Sequence, residues 1–389
     1  MINTENSKYK LIDLRSESEF HKGTIPNSYN VPILDNSAYK KVGIDYKENG
    51  RISAIQLASK LVSGEKKQDL IDKWIQAIIK YKITHIFCKR GGLRSSTAQR
   101  WLMEENVNVE ILKGGYKNYR KKINNLHSRT DNYVGEWTVV GGYTGSRKTK
   151  LIKKLSSSID LEGIAKHRGS TFGSTNEEQP TQQNFENILT QKYLESPPNL
   201  ILENESRNIG GVVLPGKFYD KMQLSNIVFI ESNINDRVNN IYKEYVLSPL
   251  ENGVKKSKLI QDYKIALMKI RNRLGGDNHK KIRHELEISF NQKDCESRLW
   301  IKLLLEKYYD KLYQYKLNIL CKNIVFRGDW NSCLYYLNQK KPELIKKTKY
   351  FLNYPQYITW KMTNNYTYNY SAFYSLFFKN YHCQEGSSS

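Results

Sequence analysis

The stretch Phe87-Cys88-Lys89-Arg90-Gly91-Gly92-Leu93-Arg94-Ser95-Ser96 constrains this chain more than any other. It follows a short apolar run, Ile83 to Phe87, that reads as a buried strand, and it precedes Ser95 to Met103, which reads as a helix. A cysteine at such a junction has its sulfur at the mouth of a loop whose backbone N–H groups point inward, with a helix N-terminus behind it. Those partial positive charges, with Arg90 and Arg94, lower a thiol pKa and hold an anion against the sulfur. Gly91 and Gly92 let the loop curl without Cβ clashes. A lone cysteine is more often a small buried hydrophobe. Here the glycine pair and the two arginines point instead to Cys88 as a nucleophile, with Arg94 stabilising its anion and Arg90, Gly91 and Gly92 in the cradle.

The residues around this loop alternate between strand and helix. Tyr9 to Leu14 alternates and ends in Asp13 and Arg15, as a parallel strand does before its loop. Gly23 and Pro26 mark turns. Lys67 to Tyr81 carries Leu70, Ile71, Trp74, Ile75, Ile78 and Ile79 at helical spacing. Val109 to Leu112 is another strand, closed by Gly114-Gly115-Tyr116. The pattern is that of a small α/β domain with a mostly parallel sheet, residues 1–122. Lys121 to Tyr133 is polar and charged, and 123–134 reads as a linker.

A second α/β domain, 135–340, starts with the strand Trp137 to Val140. It runs into Gly141-Gly142-Tyr143-Thr144-Gly145-Ser146-Arg147-Lys148-Thr149 and a helix, Lys150 to Ser156. This fits the P-loop pattern G-x-x-x-x-G-K-[ST] from Gly142 to Thr149, with Arg147 in place of the second glycine. Such a loop wraps phosphates with backbone N–H groups. Gly142, Thr144, Gly145 and Ser146 form the wrap, Lys148 supplies a point charge, and Thr149 holds Mg²⁺ if one is used. Arginine at the glycine position strains φ or crowds the cradle, so weakened phosphate binding is expected. The strand Asn199 to Leu202 leads into Glu203 and Glu205, where NTPase-like folds keep a metal-positioning carboxylate. A solvated strand end accounts for them equally well. Ile227 to Glu231 is a further strand. His167, Arg168 and Ser170 lie in a basic, Gly-rich loop of anion-binding composition, and Arg207 follows the acidic pair Glu203 and Glu205.

Charge narrows the partner class. There are 62 Lys and Arg against 39 Asp and Glu, a formal net charge of +23 spread along the chain. A polyanion, nucleic acid or a phosphorylated ligand, is the expected partner. The helical stretches Asn235 to Tyr245, Lys256 to Arg273, Lys280 to Glu287 and Cys295 to Leu317 pair basic faces with apolar stripes (Leu259, Tyr263, Leu267, Ile270; Trp300, Leu304, Tyr308). The stripes read as core and the basic faces as candidates for gripping phosphate. Five cysteines form no CxxC pair and no zinc spacing, so neither a disulfide framework nor zinc is expected. No apolar run approaches the roughly 20 residues of a membrane span. No apolar signal core opens the chain, and a cytoplasmic protein is the expectation. Residues 341–389 are rich in Tyr, Phe and Asn, carry no readable role, and end in a stretch that reads as disordered.

Asp13-Leu14-Arg15, Glu19-Phe20, Gly23-Thr24-Ile25-Pro26, Asn30-Val31-Pro32 and the Cys88 loop resemble a rhodanese domain. That resemblance implies a cysteine carrying transferable sulfur or selenium as a persulfide or perselenide. Five residues, Lys89 to Leu93, separate Cys88 from Arg94. The usual family loop has four, and the longer one resembles that of rhodanese-like phosphatases and of the selenium-transfer subgroup. A wider cradle suits a phosphate-bearing donor or a larger chalcogen.

The order of the remaining motifs is specific. Glu162-Gly163 through Phe172-Gly173, Gln179-Pro180-Thr181-Gln182-Gln183-Asn184-Phe185-Glu186-Asn187, Glu203-Asn204-Glu205-Ser206-Arg207, Leu214-Pro215, Arg273-Leu274-Gly275-Gly276, Tyr308-Tyr309-Asp310 and Phe326-Arg327-Gly328-Asp329 resemble the tRNA 2-selenouridine synthase family. That family joins a rhodanese domain to a P-loop domain. The resemblance implies replacement of sulfur by selenium in wobble 2-thiouridine of tRNA. Selenophosphate is then the donor and geranyl diphosphate first alkylates the thiocarbonyl. It implies tRNA as partner, and a selenophosphate-supplying enzyme as another. Two other readings stay open on the residues alone: a rhodanese-like sulfurtransferase or phosphatase fused to an NTP-binding module, and a non-catalytic RNA-binding protein with a degenerate P-loop.

Overall fold

The computed structural model describes residues 10–174, 177–291, 297–314 and 323–339. The 341–389 segment, and the parts of the expected Cys295 to Leu317 helix before 297 and after 314, lie outside them.

The first sheet is parallel throughout, in the order β2-β1-β3-β4: Ser28–Asn30, Leu11–Asp13, His85–Phe87 and Glu110–Ile111. β1 and β3 are buried on both faces, with Asp13 and His85 as their buried polar residues. The helix Glu65–Tyr81 covers one face with Ile71 and Trp74, and the Trp74 indole donates to the Val31 carbonyl at 2.9 Å. Ile79, counted in the expected stripe, is exposed. A 26-residue helix, Asn36–Leu61, was not anticipated. It bends at Gly50 (φ 84°) and buries only Ala38 and Ala54 fully, so it has almost no apolar periodicity to read.

The second sheet is also parallel, in the order β11-β10-β5-β7-β6: Ile324–Gly328, Asn226–Ile230, Thr138–Gly142, Ile201–Glu203 and Ser158–Ile159. The central strand β5 delivers the P-loop, and its neighbour β7 ends on Glu203. A small antiparallel hairpin, β8 (Asn208–Ile209) and β9 (Val212–Val213), follows β7. The α/β class with two mostly parallel sheets is as expected.

Helices Ile234–Ile241, Lys256–Leu274, Gly276–Asn291 and Leu299–Leu304 pack around one core. All seven apolar stripe residues named from the sequence are buried in it. Among the described residues no helix is long and apolar enough to cross a membrane.

The 123–134 stretch is not an open tether. The helix Gly115–His127 runs through its first half, and Tyr133 is buried against Trp137, Tyr193 and Phe218. The helix Gln182–Glu195 grips the first domain from the other side. Thr181 Oγ1 donates to the Lys22 carbonyl (3.0 Å), the Thr24 N–H to Asn184 Oδ1 (2.9 Å), and Asn187 Nδ2 to the Thr24 carbonyl (2.6 Å). Arg120 spans the same seam, reaching Asn187 Oδ1 and Glu186 Oε2 at 2.5 Å each. Thr181, Gln183, Asn184, Glu186 and Asn187 of the Gln179 to Asn187 motif therefore form the interface, while Gln179 and Gln182 bond within the second domain.

Candidate active site

Cys88 follows β3 directly, and the helix Leu93–Glu104 starts five residues later. The loop between them is pressed against the Gly114-Gly115 turn. The Tyr116 N–H donates to the Cys88 carbonyl (3.0 Å) and the Lys117 N–H to the Lys89 carbonyl (2.8 Å). Gly115 sits at φ 54°, and a Cβ there would stand 2.7 Å from the Gly91 nitrogen. That close approach explains the glycine pair that closes β4. Gly91 takes φ 68° to complete the curl.

The sulfur is nearly enclosed, with Cys88 4% exposed, rather than standing open at the loop mouth. Burial alone pushes its pKa up. The nearby Ser95 hydroxyl and the Arg90 backbone N–H, with the Arg94 charge, outweigh burial and hold the thiol below its ordinary value. Arg94 is itself clamped by Glu19, Nη1 to Oε2 at 2.6 Å and Nη2 to Oε1 at 3.3 Å, and its guanidinium lies over the Tyr39 ring. Glu19 is fixed in turn by the capping box it forms with Ser16. Arg90 contributes its backbone, and its side chain is exposed. Ser95 was not singled out from the sequence, because a serine in the first turn of a helix has an ordinary explanation.

Behind the loop, Arg15 is buried and paired with Asp13 at 2.5 Å. It also donates to the Gly23 carbonyl at 2.7 Å and stacks on Tyr116 at 3.9 Å. Thr24 Oγ1 donates to Asp13 at 2.9 Å. The Asp13, Arg15, Gly23 and Thr24 motif thus braces the cradle and does not line it.

The second centre stands at the end of β5. Gly145 (φ 86°) packs against Arg237 and Ile241, and its carbonyl accepts from Asn240 at 2.9 Å. The Thr144 carbonyl accepts from Arg237 at 3.4 Å, and Ser146 N–H closes back on the Tyr143 carbonyl at 3.1 Å. Gly142 packs against the Ser146 hydroxyl. Arg237 is buried and paired with Asp310 at 2.8 and 2.7 Å, so the Tyr308-Tyr309-Asp310 motif holds the P-loop from behind. Arg147 adopts φ 66°, ψ 32°, the left-handed conformation a glycine takes there, with its side chain exposed. The backbone of the cradle is therefore of glycine type in spite of the arginine.

Lys148 Nζ donates to the Gly142 carbonyl at 3.0 Å and lies over the Tyr313 ring. Burial pulls its pKa down, but Tyr313 and three glutamates around it raise it overall, so it stays charged. Those glutamates are Glu162, Glu203 and Glu205, with carboxylate oxygens within 4.8 Å of one another. Thr149 Oγ1 lies 2.7 Å from Glu162 and 3.0 Å from Glu203. Burial first and Glu205 second push the Glu162 carboxyl up to about 8, and burial with Glu162 raises Glu203 well above the carboxylate range. One hydroxyl proton cannot serve both oxygens, so a protonated carboxyl donating to Thr149 completes the set. Glu203 is fully buried, which removes the solvated-strand-end account of it. Glu162 was quoted in the sequence only as part of a motif; its neighbour Gly163 concealed a helix start capped by Asp160.

The Gly-rich loop meets this cluster. Gly169 (φ 67°) packs against the Glu205 carboxylate, Ser170 Oγ lies 3.4 Å from the Tyr245 hydroxyl, and Arg168 stacks on the Tyr245 ring. The His167 backbone N–H donates to the Glu162 carbonyl at 3.1 Å, and burial with Arg168 lowers its ring pKa, so the ring stays neutral. Arg207 is exposed at the base of the β8–β9 hairpin, beside Gly216 and Tyr219.

Both halves match known family models. Residues 1–122 match the rhodanese-like domain, and residues 135–343 match the tRNA 2-selenouridine synthase AAA domain. The chain belongs to the tRNA 2-selenouridine synthase family. A family member of that name from Shewanella pealeana is 36% identical over 346 residues, covering 85% of this chain and 94% of the relative. The same name is carried by relatives from Shewanella piezotolerans, 37% identical with 83% and 93% covered, and Nitrosomonas eutropha, 34% identical with 85% and 94% covered. Membership in this enzyme family places the Cys88 loop in the rhodanese-like half and the Lys148 loop in the AAA half.

Proposed function

We propose that this chain replaces the sulfur of wobble 2-thiouridine in tRNA by selenium, with selenophosphate as donor and geranyl diphosphate as alkylating co-substrate. The observation that carries the reading is the pairing of two anion cradles in one chain, an activated Cys88 in one and Lys148 in the other. The names of the relatives support tRNA and selenium. In the P-loop, Lys148 and the loop amides bind the diphosphate and stabilise it as it leaves, while the thiocarbonyl sulfur takes the geranyl carbon. Alkylation turns that sulfur into a leaving group. Cys88 opens the selenium donor with Arg94 against its phosphate, and selenium then takes the place of the geranylthio group on the base.

The acidic cluster fits a divalent cation, because the carboxylate oxygens of Glu162, Glu203 and Glu205 lie within 4.8 Å of one another, Glu205 raising the pKa of Glu162 and Glu162 that of Glu203 on top of burial. Thr149, Glu203 and Glu162 would hold Mg²⁺, which supplies positive charge to diphosphate oxygens.

The test is mass spectrometry of nucleosides from 2-thiouridine tRNA incubated with the protein, selenophosphate and geranyl diphosphate. Selenouridine from the wild type and none from Cys88→Ala is expected. Geranylated thiouridine persisting with Cys88→Ala assigns alkylation to the P-loop half. Selenouridine from Cys88→Ala would refute the role of the cysteine, and no modified base from the wild type would refute the reaction.

A further inference from the structure

The bond that Cys88 makes is open to a deeper reading, which rests on the function just proposed. Selenium in selenophosphate is already fully reduced, as is a thiolate sulfur. Joining the two as S–Se removes two electrons that neither phosphate nor water accepts. A perselenide from this donor therefore needs an oxidant. Phosphorus is the electrophilic atom, and selenide is a good leaving group that needs no general acid.

The cradle has the parts for attack at phosphorus. Arg94 is clamped to Glu19 through both terminal nitrogens and so held beside the sulfur, where the N–H groups of the guanidinium that do not point at Glu19 are the donors for phosphoryl oxygens. The Arg90 N–H reaches the sulfur from the loop. Ser95 is fully buried at the start of the helix that follows the loop, its hydroxyl is left without a hydrogen-bond partner, and it lies near enough to the sulfur to help lower the thiol pKa. A hydroxyl placed there stabilises a departing thiolate as well as an attacking one, and a sulfur that only had to keep its cargo has no use for it.

We propose that Cys88 attacks the phosphorus of selenophosphate and passes through an S-phosphocysteine, and that Ser95 is the catalytic residue that lets the thiolate leave again. In the first step the S–P bond forms and the P–Se bond breaks. The electron pair leaves on selenium, which takes a proton to become hydroselenide. In the second step water oxygen attacks phosphorus, the P–O bond forms and the S–P bond breaks. The pair returns to Sγ, held by the Ser95 hydroxyl, and the water proton is released with inorganic phosphate. The sum is selenophosphate and water giving phosphate and hydroselenide, with no oxidation. Hydroselenide then displaces the geranylthio group.

The full-length protein is mixed with selenophosphate labelled separately in phosphorus and in selenium, quenched, and digested to isolate the Cys88 peptide. Phosphorus label and no selenium label on that peptide is expected. Ser95→Ala should still acquire the label but lose it about tenfold to a hundredfold more slowly, the loss of one hydrogen bond to a charged group, and Ser95→Thr should restore the decay. Selenium on Cys88 without phosphorus overturns the proposal, as does an unchanged decay in Ser95→Ala. Phosphocysteine formed by a wild type that yields no selenouridine would leave this proposal standing and remove the tRNA reading. Selenouridine made with selenium on Cys88 would do the reverse.

Discussion

Asn187 donates to the Thr24 carbonyl at 2.6 Å, and so fastens the P-loop half to the loop that braces the nucleophile. Asn187 also donates to the Tyr116 hydroxyl at 3.1 Å and is itself fully buried. Tyr116 in turn holds the Cys88 carbonyl through its backbone N–H and stacks on Arg15. The contacts that join the two halves are therefore one residue removed from the reacting sulfur.

Asn187→Ala removes two donated hydrogen bonds and leaves Arg120 short of one acceptor in a buried seam. A loss of about 2–3 kcal/mol is expected, read as a lower urea midpoint. Alkylation of Cys88 should also become faster at fixed pH as its loop loosens. An unchanged midpoint would mean the seam carries no stability.

His127 makes the same seam sensitive to acid. Its Nε2 meets Thr190 Oγ1 at 3.0 Å and its Nδ1 meets the Tyr133 hydroxyl at 2.5 Å. Burial brings its pKa down to about 4. The unfolded chain, with an ordinary histidine, binds the extra proton at higher pH than the folded one. Stability is then full above the unfolded value and falls as pH drops from about 6.5 towards 4, by about 2–3 kcal/mol. Denaturant melts across that window should show the slope, and His127→Gln should flatten it. A slope retained in the variant would place the acid sensitivity elsewhere.

What could be read from the sequence follows burial. Strands such as β3 and β5 announce themselves because both faces are buried and mostly apolar, and the helical stripes at Leu259 to Ile270 and Trp300 to Tyr308 are core as their spacing requires. The Cys88 and Lys148 loops were legible because glycine and charge at fixed spacing have few other uses. The Asn36–Leu61 helix was not, since it buries only two alanines fully. The interface was missed for a related reason. Its residues, Asn184, Asn187 and Arg120, are polar, and polar partners far apart in sequence leave no periodic trace. Glu162 needed its distance to Glu203 before it meant anything.

The Cys88 thiol should ionise below the ordinary cysteine value, about 8.5, because hydrogen bonds and Arg94 outweigh burial. Cys333, pushed up to about 11 by burial, serves as an internal contrast. Iodoacetamide labelling followed by peptide mapping should show Cys88 reacting with an inflection on the acid side of the same peptide in denaturant. Ser95→Ala should move that inflection up. Coincident curves for folded and denatured protein would remove the claim of an activated thiol.

Arg147 sets two effects against each other. A left-handed residue with a Cβ costs about 1–2 kcal/mol, and glycine at φ 66° has no such cost. Arg147→Gly should therefore stabilise the protein by about 1 kcal/mol, after the larger entropy glycine brings to the unfolded chain. Phosphate affinity should behave differently. The backbone already has the glycine conformation, and Trp330 Nε1 holds the Arg147 carbonyl at 3.2 Å, so the substitution has no distorted cradle to repair. It does remove one positive charge beside the site. Calorimetry with inorganic pyrophosphate should give binding to Arg147→Gly that equals or falls below the wild type. A clear gain would mean that the side chain crowds the cradle, and a drop in stability would mean that the arginine makes contacts worth more than the strain it carries.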